Sequence, residues 1–364
     1  MKVVAAAGSR GLIQPAPSLR STVLTVQALR GIAALLVISL HTTTMWFELG
    51  RRTLPFIVNG GTGLDIFFVL SGFIMPLSVR RSNSGPADAR RFLLRRLERL
   101  VPAYWIFTTL KLLKDFFLPG TVKLAVWHTI ASYLFLPSRN SLGEVVPLLP
   151  PGWTLNMEML FYLLIALALL FRVRLRYFLP PLLMLGAAGF FLHLPALVPV
   201  DTARLPLLLE FLLGMVLAER YRAVALRGAM PCPAWIACAG MLLSTWLMVF
   251  TQWGAISYFV FAGPLAFLMV GFAVELERSI GRRIPRLLLL IGDASYSIYL
   301  VHWFLVGAVR SIIQLPAFSG VQNFMVPLGL TMALSIVCGI ACYHWIESPI
   351  NRHFHVRRRA ATAA

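Results

Sequence analysis

Charged residues are scarce in this sequence: of its 364 residues, only 13% are Asp, Glu, Lys or Arg. Soluble domains carry about a quarter of such residues, because charge has to cover a surface that faces water. The scarcity therefore excludes a chain that water solvates over most of its surface. Hydrophobic residues make up 59% of the chain instead, and the mean hydropathy is +0.78. This composition predicts a protein whose main solvent is lipid.

Cysteine and acidic residues are also few. The four cysteines lie in or beside apolar segments and lack metal-ligand spacing, so we interpret them as small core residues and expect no metal. They are Cys232, Cys238, Cys338 and Cys342. Acidic residues number 14 against 33 Lys and Arg, which gives a net charge of +19. We expect this excess to reflect membrane topology, with membrane lipid rather than nucleic acid as its partner.

Long apolar stretches are abundant, and about ten of them have the roughly 20 residues that a helix needs to cross a bilayer. The predicted fold is therefore an all-α, polytopic membrane bundle of about ten transmembrane helices. Lys111, Lys114 and Asp115 interrupt the third span, which makes it the weakest. Residues 123–136 are apolar but too short to span, and predict an interfacial or re-entrant helix. The spans lie near residues 23–46, 58–79, 100–118, 153–171, 177–194, 204–220, 234–252, 254–274, 288–310 and 323–346.

The basic residues predict the orientation of these spans. Most of the 33 Lys and Arg residues fall in segments that the alternation of spans puts on one side, and that side is usually cytoplasmic because positive charge resists translocation. We expect a multi-pass protein of the inner (plasma) membrane with both termini in the cytoplasm. Residues 1–22 form a basic tail rather than a signal peptide, since the first span exceeds a signal peptide's apolar core. Residues 23–346 form the transmembrane domain, and residues 347–364 form a basic C-terminal tail.

Six ionisable residues stand within the predicted spans, where such groups are costly and usually line a bundle interior or a water-filled path. They are Arg30, His41, Asp65, Glu158, Glu210 and His302. Arg30 and His41 are eleven residues apart, so they share one face of a helix and lie about 16 Å apart along its axis. Counting along the predicted helices places His41, the carboxylates and His302 at one depth in the outer half. That convergence predicts an intramembrane site, although each residue taken singly is equally compatible with a structural hydrogen bond.

Arg96 and Arg99 stand three residues apart on a basic helix that leads into the third span. Side chains at that spacing point the same way on a helix, and two guanidinium groups can clamp phosphates in fork geometry. The alternative is charge that serves topology alone. The spacing by itself does not separate the two interpretations.

Several of these residues fall in segments that resemble the membrane-bound acyltransferase family 3. Arg30, ten further residues and His41 are similar to the family's first-helix motif, and Arg96 with Arg99 fits its cytoplasmic Arg-x-x-Arg motif. Residues 153–158 are similar to Trp-Ser-Leu-x-x-Glu, with Thr154 in the Ser position, a change that keeps the hydroxyl. The six matching segments, in order, are residues 27–41, 63–73, 96–99, 153–158, 210–214 and 295–302.

The resemblance implies an O-acyltransferase that moves an acyl group from cytoplasmic acyl-CoA to a hydroxyl of a cell-surface or exported carbohydrate. Acetyl-CoA is the expected donor, because the opening of the first span resembles the exopolysaccharide-acetylating branch. The implied catalytic residues are His41, Glu158 and Asp65. The residues implied to bind the donor's phosphates are Arg30, Arg96 and Arg99, and those expected to bind substrate are Glu210, His302 and Trp153.

His41 is expected to act in one of two ways. It takes the proton of the acceptor hydroxyl as a general base, or it becomes transiently acylated and passes the group outward. In either route, Glu158 or Asp65 is expected to orient its imidazole, as the third member of a catalytic triad does. The sequence leaves both routes open.

Two other classes of function remain open from the residues alone. A proton-coupled transporter or flippase of a glycan or lipid-linked substrate also uses intramembrane His and carboxylates. The paired, broken helices that would favour a transporter are not evident in this sequence. A non-catalytic membrane scaffold would not need polar residues that converge at one depth.

Overall fold

The computed structural model describes residues 23–51, 59–79, 85–118, 125–191, 202–227, 232–251, 255–318 and 320–363. Over these ranges the chain is almost entirely helical and contains no β-strand. The helices are α1 (Leu24–Glu48), α2 (Thr62–Ser78), α3 (Pro86–Phe117), α4 (Val126–Tyr133), α5 (Trp153–Leu170), α6 (Leu175–Phe191), α7 (Leu208–Arg227), α8 (Ala234–Phe250), α9 (Ala255–Ile280), α10 (Arg286–Asp293), α11 (Ser295–Ile313), α12 (Met325–Cys342) and α13 (Ser348–Ala363).

The predicted all-α membrane bundle is confirmed, but the number of ten spans is not. Five helical stretches within the described residues are long and apolar enough to cross a membrane, and α2 and α8 are shorter apolar helices. The five are Leu24–Glu48, Pro150–Leu170, Val260–Arg283, Ser295–Ile313 and Met325–Phe354. Every predicted span coincides with at least one helix. The predicted tail over residues 1–22 lies outside the described residues.

Two boundaries near the end of the chain differ from the predictions. The ninth predicted span is two helices, because α10 ends at Asp293 and α11 begins at Ser295. The break follows Gly292, which lies so close to α1 that a methyl group there would be 2.1 Å from the Gln27 carbonyl oxygen. The predicted C-terminal tail is a helix, since α13 follows α12 through a π-helical segment, Tyr343–Glu347.

One end of the bundle collects several arginine-bearing segments, and we call it the arginine-rich end. Arg222 of α7 donates to the carbonyl oxygens of Pro76 and Val79, which terminate α2. Arg96 of α3 donates to Ser78 Oγ at 2.9 Å. The start of α1 meets the end of α9, so the segments whose charge predicted a common side lie together. Which side of the membrane this end faces stays a prediction.

Helix α2 approaches the backbones of α1 and α7 closely at several glycines. A methyl group on Gly63 would lie 2.4 Å from the Ala33 carbonyl oxygen, and one on Gly72 would lie 2.1 Å from that of Phe211. Small residues allow such close approach, which is the main source of affinity between helices in lipid. At its start, Gly60 abuts the backbone of Leu36 and Leu40. Helix α2 therefore begins level with the middle of α1, and this fixes the depth of the residues that follow.

Candidate active site

A cavity of about 100 Å³ lies between α1, α2, α3, α5 and α11. Apolar side chains such as Phe67, Phe68, Ile74 and Met75 form much of its wall. Its polar lining consists of Arg30, Ser71, Arg99, Thr154, Glu158, Tyr162, Ser295, Tyr296 and Tyr299.

Two arginines supply the positive charge of this cavity. Arg30 of α1 and Arg99 of α3 both line it, and they lie close enough to repel each other electrostatically. Glu158 and Glu347 act on Arg30 with the opposite sign. A buried guanidinium requires such carboxylates, because an isolated buried charge is very costly. The two guanidinium groups in the cavity wall are thus accompanied by carboxylates of opposite charge.

Arg96 is not part of the cavity lining. Besides its bond to Ser78, its guanidinium lies over the ring of Phe92 at 5.6 Å and over that of Tyr162 at 6.0 Å. The Tyr162 hydroxyl in turn donates to Glu158 Oε1, and Ser71 Oγ lies 3.4 Å from that oxygen. Arg99 thus shares the cavity with Arg30, whereas Arg96 supports the wall from behind Tyr162. The predicted phosphate clamp of Arg96 and Arg99 stays a prediction.

His41 forms a pair with His302 of α11. The Nε2 atom of His302 lies 3.3 Å from the Nδ1 atom of His41, and their ring centroids are 5.0 Å apart. The indole of Trp303 meets the His41 ring edge-on at a centroid distance of 5.4 Å. His302 is fully buried, whereas His41 is partly accessible.

Two backbone carbonyl groups fix which ring nitrogens carry protons in this pair. The Nδ1 atom of His302 lies 2.5 Å from the Tyr299 carbonyl oxygen, which can only accept, so Nδ1 carries the proton. In the neutral ring, Nε2 of His302 is then an acceptor. His41 Nδ1 lies 3.0 Å from the Val37 carbonyl oxygen and therefore donates, both to that oxygen and to His302. The Nε2 atom of a neutral His41 is left with a free lone pair, which is the form that a base or nucleophile needs.

Tyr299 separates the cavity from the histidine pair. Its phenol oxygen lies 2.8 Å from the Pro151 carbonyl oxygen and 2.8 Å from Thr154 Oγ1, at the start of α5. On its other side, its ring centroid is 5.6 Å from that of His302. The cavity thus extends from Arg30 and Arg99 at one end to Thr154 and Tyr299 at the other. The histidine pair begins directly behind Tyr299.

Asp65 and Glu210 form a second, separate pair. Both are buried, and their carboxyl groups are hydrogen-bonded to each other between α2 and α7. Two carboxyl groups can share a hydrogen bond only when one keeps its proton. Gly263 of α9 lies against Glu210, since a methyl group there would be 3.3 Å from Glu210 Cγ. This pair crosslinks the helices that pack most closely.

Trp153 lies outside the lining of the cavity, at the first turn of α5. The guanidinium of Arg204 covers its ring at 4.2 Å, and Arg204 also donates to the Val145 carbonyl oxygen. The ring of Phe68, a cavity residue, is 6.3 Å away on centroids. Trp153 and Arg204 together form an aromatic and cationic surface at the end of the bundle opposite the arginine-rich end.

The predicted single layer of polar residues is wrong for Asp65 and Glu158. Asp65 follows Gly63, which packs on Ala33, so it lies about 8–12 Å below His41 along α1. Glu158 lines the same cavity as Arg30 and approaches Ser71, nine residues into α2. Among the ionisable residues predicted to share the layer of His41, His302 is the one that contacts it. Depth counted from the ends of the apolar stretches failed because α2 begins halfway along α1.

The predicted orientation of His41 by Glu158 or Asp65 is also wrong. Within the described part of the chain, the polar partners of the His41 ring are Val37 and His302. The structure thus gives the orienting position to His302, which the sequence indicated only as a substrate-binding residue. The catalytic roles of Glu158 and Asp65 stay predictions.

Three residues at or near the cavity were not predicted from the sequence to have a role: Tyr162, Tyr299 and Glu347. Glu347 is buried, accepts a 2.6 Å hydrogen bond from Ser297 Oγ, and ends the π-helical segment. It directly follows the apolar residues of the last span, which was a usable signal. Its inward direction was not predictable, because a π-helical turn inserts a residue and rotates the side chains that follow.

Comparison with known proteins agrees with this arrangement. A family model described as an acyltransferase domain matches residues 23–344. The chain is 34% identical over 332 residues to the exopolysaccharide production protein ExoZ of Rhizobium meliloti (strain 1021), covering 88% of this chain and 98% of that protein. It is 28% identical over 158 residues to the peptidoglycan O-acetyltransferase OatA of Listeria monocytogenes serovar 1/2a, covering 40% of this chain and 24% of OatA.

A putative O-acetyltransferase of Staphylococcus aureus (strain COL) is 25% identical over 365 residues. That match covers 90% of this chain but 57% of the relative, so the chain spans little more than half of that protein. No solved structure matches the chain.

Proposed function

Because this chain belongs to the acyltransferase family that matches residues 23–344, we propose that it transfers an acetyl group from acetyl-CoA to a hydroxyl of an exopolysaccharide or its precursor. The O-acetyltransferase-like activity follows from the family and its relatives. The donor, the acceptor and the side from which each arrives are our proposal. The observation that carries it is the cavity that extends from two arginines to Tyr299, directly behind which lies a histidine pair with one free ring nitrogen.

The donor enters from the arginine-rich end, which we place in the cytoplasm. Arg99 and Arg30 attract the phosphates of acetyl-CoA and hold the donor by charge and hydrogen bonds. The apolar wall of Phe67, Phe68 and Met75 suits the pantetheine arm and the acetyl group. In this proposal, the Tyr299 side chain moves aside and lets the thioester carbon reach the histidine pair.

His41 takes the acceptor's hydroxyl proton on Nε2, and the hydroxyl oxygen attacks the thioester carbon. The carbon–sulfur bond breaks, and the thiolate that leaves takes the proton back from the imidazolium. The Val37 carbonyl and His302 Nε2 stabilise that imidazolium through Nδ1–H. In the covalent route, Nε2 attacks the thioester carbon first and the CoA thiolate leaves. The acceptor oxygen then attacks the acyl-imidazolium, which releases Nε2, and the acceptor's proton ends on the thiolate. Both routes use the same nitrogen.

Trp153 and Arg204 support an acceptor that arrives from the opposite end. An indole next to a guanidinium suits a sugar ring and its hydroxyl groups. Trp153 immediately precedes Thr154, which lines the cavity. A polysaccharide acceptor agrees with ExoZ, whose name refers to exopolysaccharide production.

The test is acetyl transfer by the purified protein in detergent, with [14C]acetyl-CoA and exopolysaccharide from the same cells. We expect His41→Gln and His41→Ala to lose activity by about 10²–10⁴-fold, the usual contribution of proton transfer by a positioned side chain. His353→Gln is the matched control, because His353 is exposed on α13.

Equal transfer by wild type and both His41 variants, with normal folding, would exclude this mechanism. If, instead, the wild type does not consume acetyl-CoA with any glycan fraction, the donor assignment is wrong. Acylated wild-type protein trapped without acceptor would select the covalent route.

A further inference from the structure

A second cavity opens between the ends of α7 and α9 that carry their arginines. It has a volume of about 140 Å³ and shares no lining residue with the cavity that holds Arg30 and Arg99. Residues of α7 and α9, together with Cys232 just before α8, surround it. The proposed acyl transfer does not use this space.

The floor of this cavity is apolar. Leu217 of α7 and Phe267, Phe272 and Val274 of α9 contribute to it. Gly271 leaves space beside the floor: a methyl group there would touch only Leu217 Cδ1, at 3.6 Å. The floor therefore offers an apolar surface, open beside Gly271, to part of a hydrocarbon chain.

The rim of this cavity is cationic. Arg220 is exposed and pairs with Glu275 at 3.3 Å. Arg278 lies near the phenol of Tyr221, which is half-buried. Glu277 also lies near that phenol, but its carboxylate accepts hydrogen bonds from Thr25 at the start of α1 and does not line the cavity. The lining itself therefore holds two guanidinium groups and one carboxylate. An aromatic phenol at such a level is typical of the boundary between hydrocarbon and headgroups.

We propose that this cavity binds an anionic phospholipid. The lipid phosphate is held by Arg278 and by Arg220, which keeps its ion pair to Glu275, and one acyl chain lies on the floor beside Gly271. The position at the ends of two membrane helices puts the guanidinium groups at headgroup level, where basic pockets between helices select anionic lipids. A neutral lipid would fill the floor equally well but leave the rim charge unmatched, so we expect discrimination by headgroup.

The experiment measures lipid binding to the purified full-length protein by native mass spectrometry and by thermal stabilisation. The probes are phosphatidylglycerol, phosphatidylcholine with the same acyl chains, and inorganic phosphate. We expect phosphatidylglycerol to bind and stabilise more strongly than phosphatidylcholine, and phosphate alone to have no effect. Arg278→Gln should weaken the binding of phosphatidylglycerol about fivefold, the effect of one basic residue near an anionic headgroup. It should leave the binding of phosphatidylcholine unchanged.

Two matched pairs keep the result interpretable. Arg283→Gln removes an exposed arginine at the same end but outside the cavity, and should retain wild-type binding. Gly271→Leu should fill the floor and exclude both lipids, whereas Gly271→Ala has room for its methyl group and should not. The proposal is overturned if Arg278→Gln and Gly271→Leu both bind phosphatidylglycerol like the wild type. It is also overturned if phosphate alone reproduces the stabilisation, or if the two lipids bind equally.

Discussion

A single proton position decides what His41 can do. The carbonyl of Tyr299 fixes the proton of His302, and His302 together with the Val37 carbonyl fixes that of His41. Because Nε2 of the buried His302 accepts a hydrogen bond from Nδ1–H of His41, the other nitrogen of His41 keeps its basic lone pair. His302 is thus a positioning residue in our mechanism, and the carboxylates take no part in that orientation.

Removal of the acceptor nitrogen of His302 tests this assignment. We expect His302→Leu to lower kcat about 10–100-fold with little change in the KM for acetyl-CoA, since a hydrogen bond to a charged group contributes about 1.5–3 kcal/mol. His302→Gln should recover part of the loss, because its amide oxygen can accept from His41 Nδ1. The measurement is steady-state transfer at saturating acceptor. Equal losses in both variants would indicate a packing role.

The two arginines of the predicted fork should differ in effect. Arg99→Ala should raise the KM or Kd for acetyl-CoA strongly, and Arg99→Lys should recover it only partly, because an ammonium lacks the planar fork. Arg96→Ala should act more weakly on donor affinity, since Arg96 contacts Ser78 and Tyr162 rather than the cavity. Titration calorimetry with CoA checks both. A larger effect for Arg96 than for Arg99 would contradict the arrangement.

Residue identities were more predictable than residue neighbours. Arg30, Glu158 and His302 were found because an ionisable group inside an apolar span is rare and informative, and Arg99 was found by its spacing from Arg96. Their grouping was not, because it depends on where each helix begins in depth. Asp65 illustrates this: its type and its helix were evident, but its partner, Glu210, follows from the position of α2.

At the scale of helices, the closeness of α2 to its neighbours is the main determinant of the site. Glycines at its start and middle let it approach α1 and α7 to backbone contact. This contact sets the depth of Ser71 and Asp65 and thereby the shape of the cavity. The helix bounds themselves were largely predictable, since apolar length marks them. The break at Ala294 and the π-helical segment were not, because both arise from tertiary packing.

Gly214→Ala tests the contact between α7 and α2. Its methyl group would lie 2.1 Å from the Val69 carbonyl oxygen, a backbone atom, so the helices have to separate. We expect a loss of about 1–3 kcal/mol in stability and less folded protein in the membrane. Gly329→Ala is the control, because nothing lies within 4 Å of its position in α12 and alanine favours a helix. Thermal unfolding in detergent compares the two, and equal stability would refute the packing argument.

For the whole molecule, the helices place the arginine-bearing segments at one end and the Trp153–Arg204 surface at the other. An enzyme with this polarity can take a charged donor from one compartment and a glycan from the other. The compartments themselves follow only from the distribution of positive charge. The sequence thus predicts the orientation, and the fold adds that the relevant segments share an end.

Site-directed labelling determines that orientation. In a cysteine-free background, we expect Ala87→Cys and Arg282→Cys to react only with a reagent that has access to the cytoplasm. Leu142→Cys, on an exposed loop residue, should react from outside. A membrane-impermeant maleimide applied to intact cells and to inverted vesicles makes the distinction. Labelling of Ala87→Cys and Leu142→Cys from the same side would refute the alternation, and reversed labelling would move the donor to the other compartment.

The single free nitrogen of His41 has an electrical consequence. In the proposed general-base route, one nitrogen receives the acceptor's proton and returns it to the leaving sulfur, so each turnover would exchange an acetyl cation equivalent moving outward for a proton moving inward. An uncompensated charge crossing the membrane would involve about 2.3 kcal/mol per 100 mV of membrane potential. In this proposal the two charges cancel, so the voltage would neither drive nor oppose transfer. The thioester alone would supply the energy, and we expect a de-energised cell that still contains acetyl-CoA to continue to acetylate its surface.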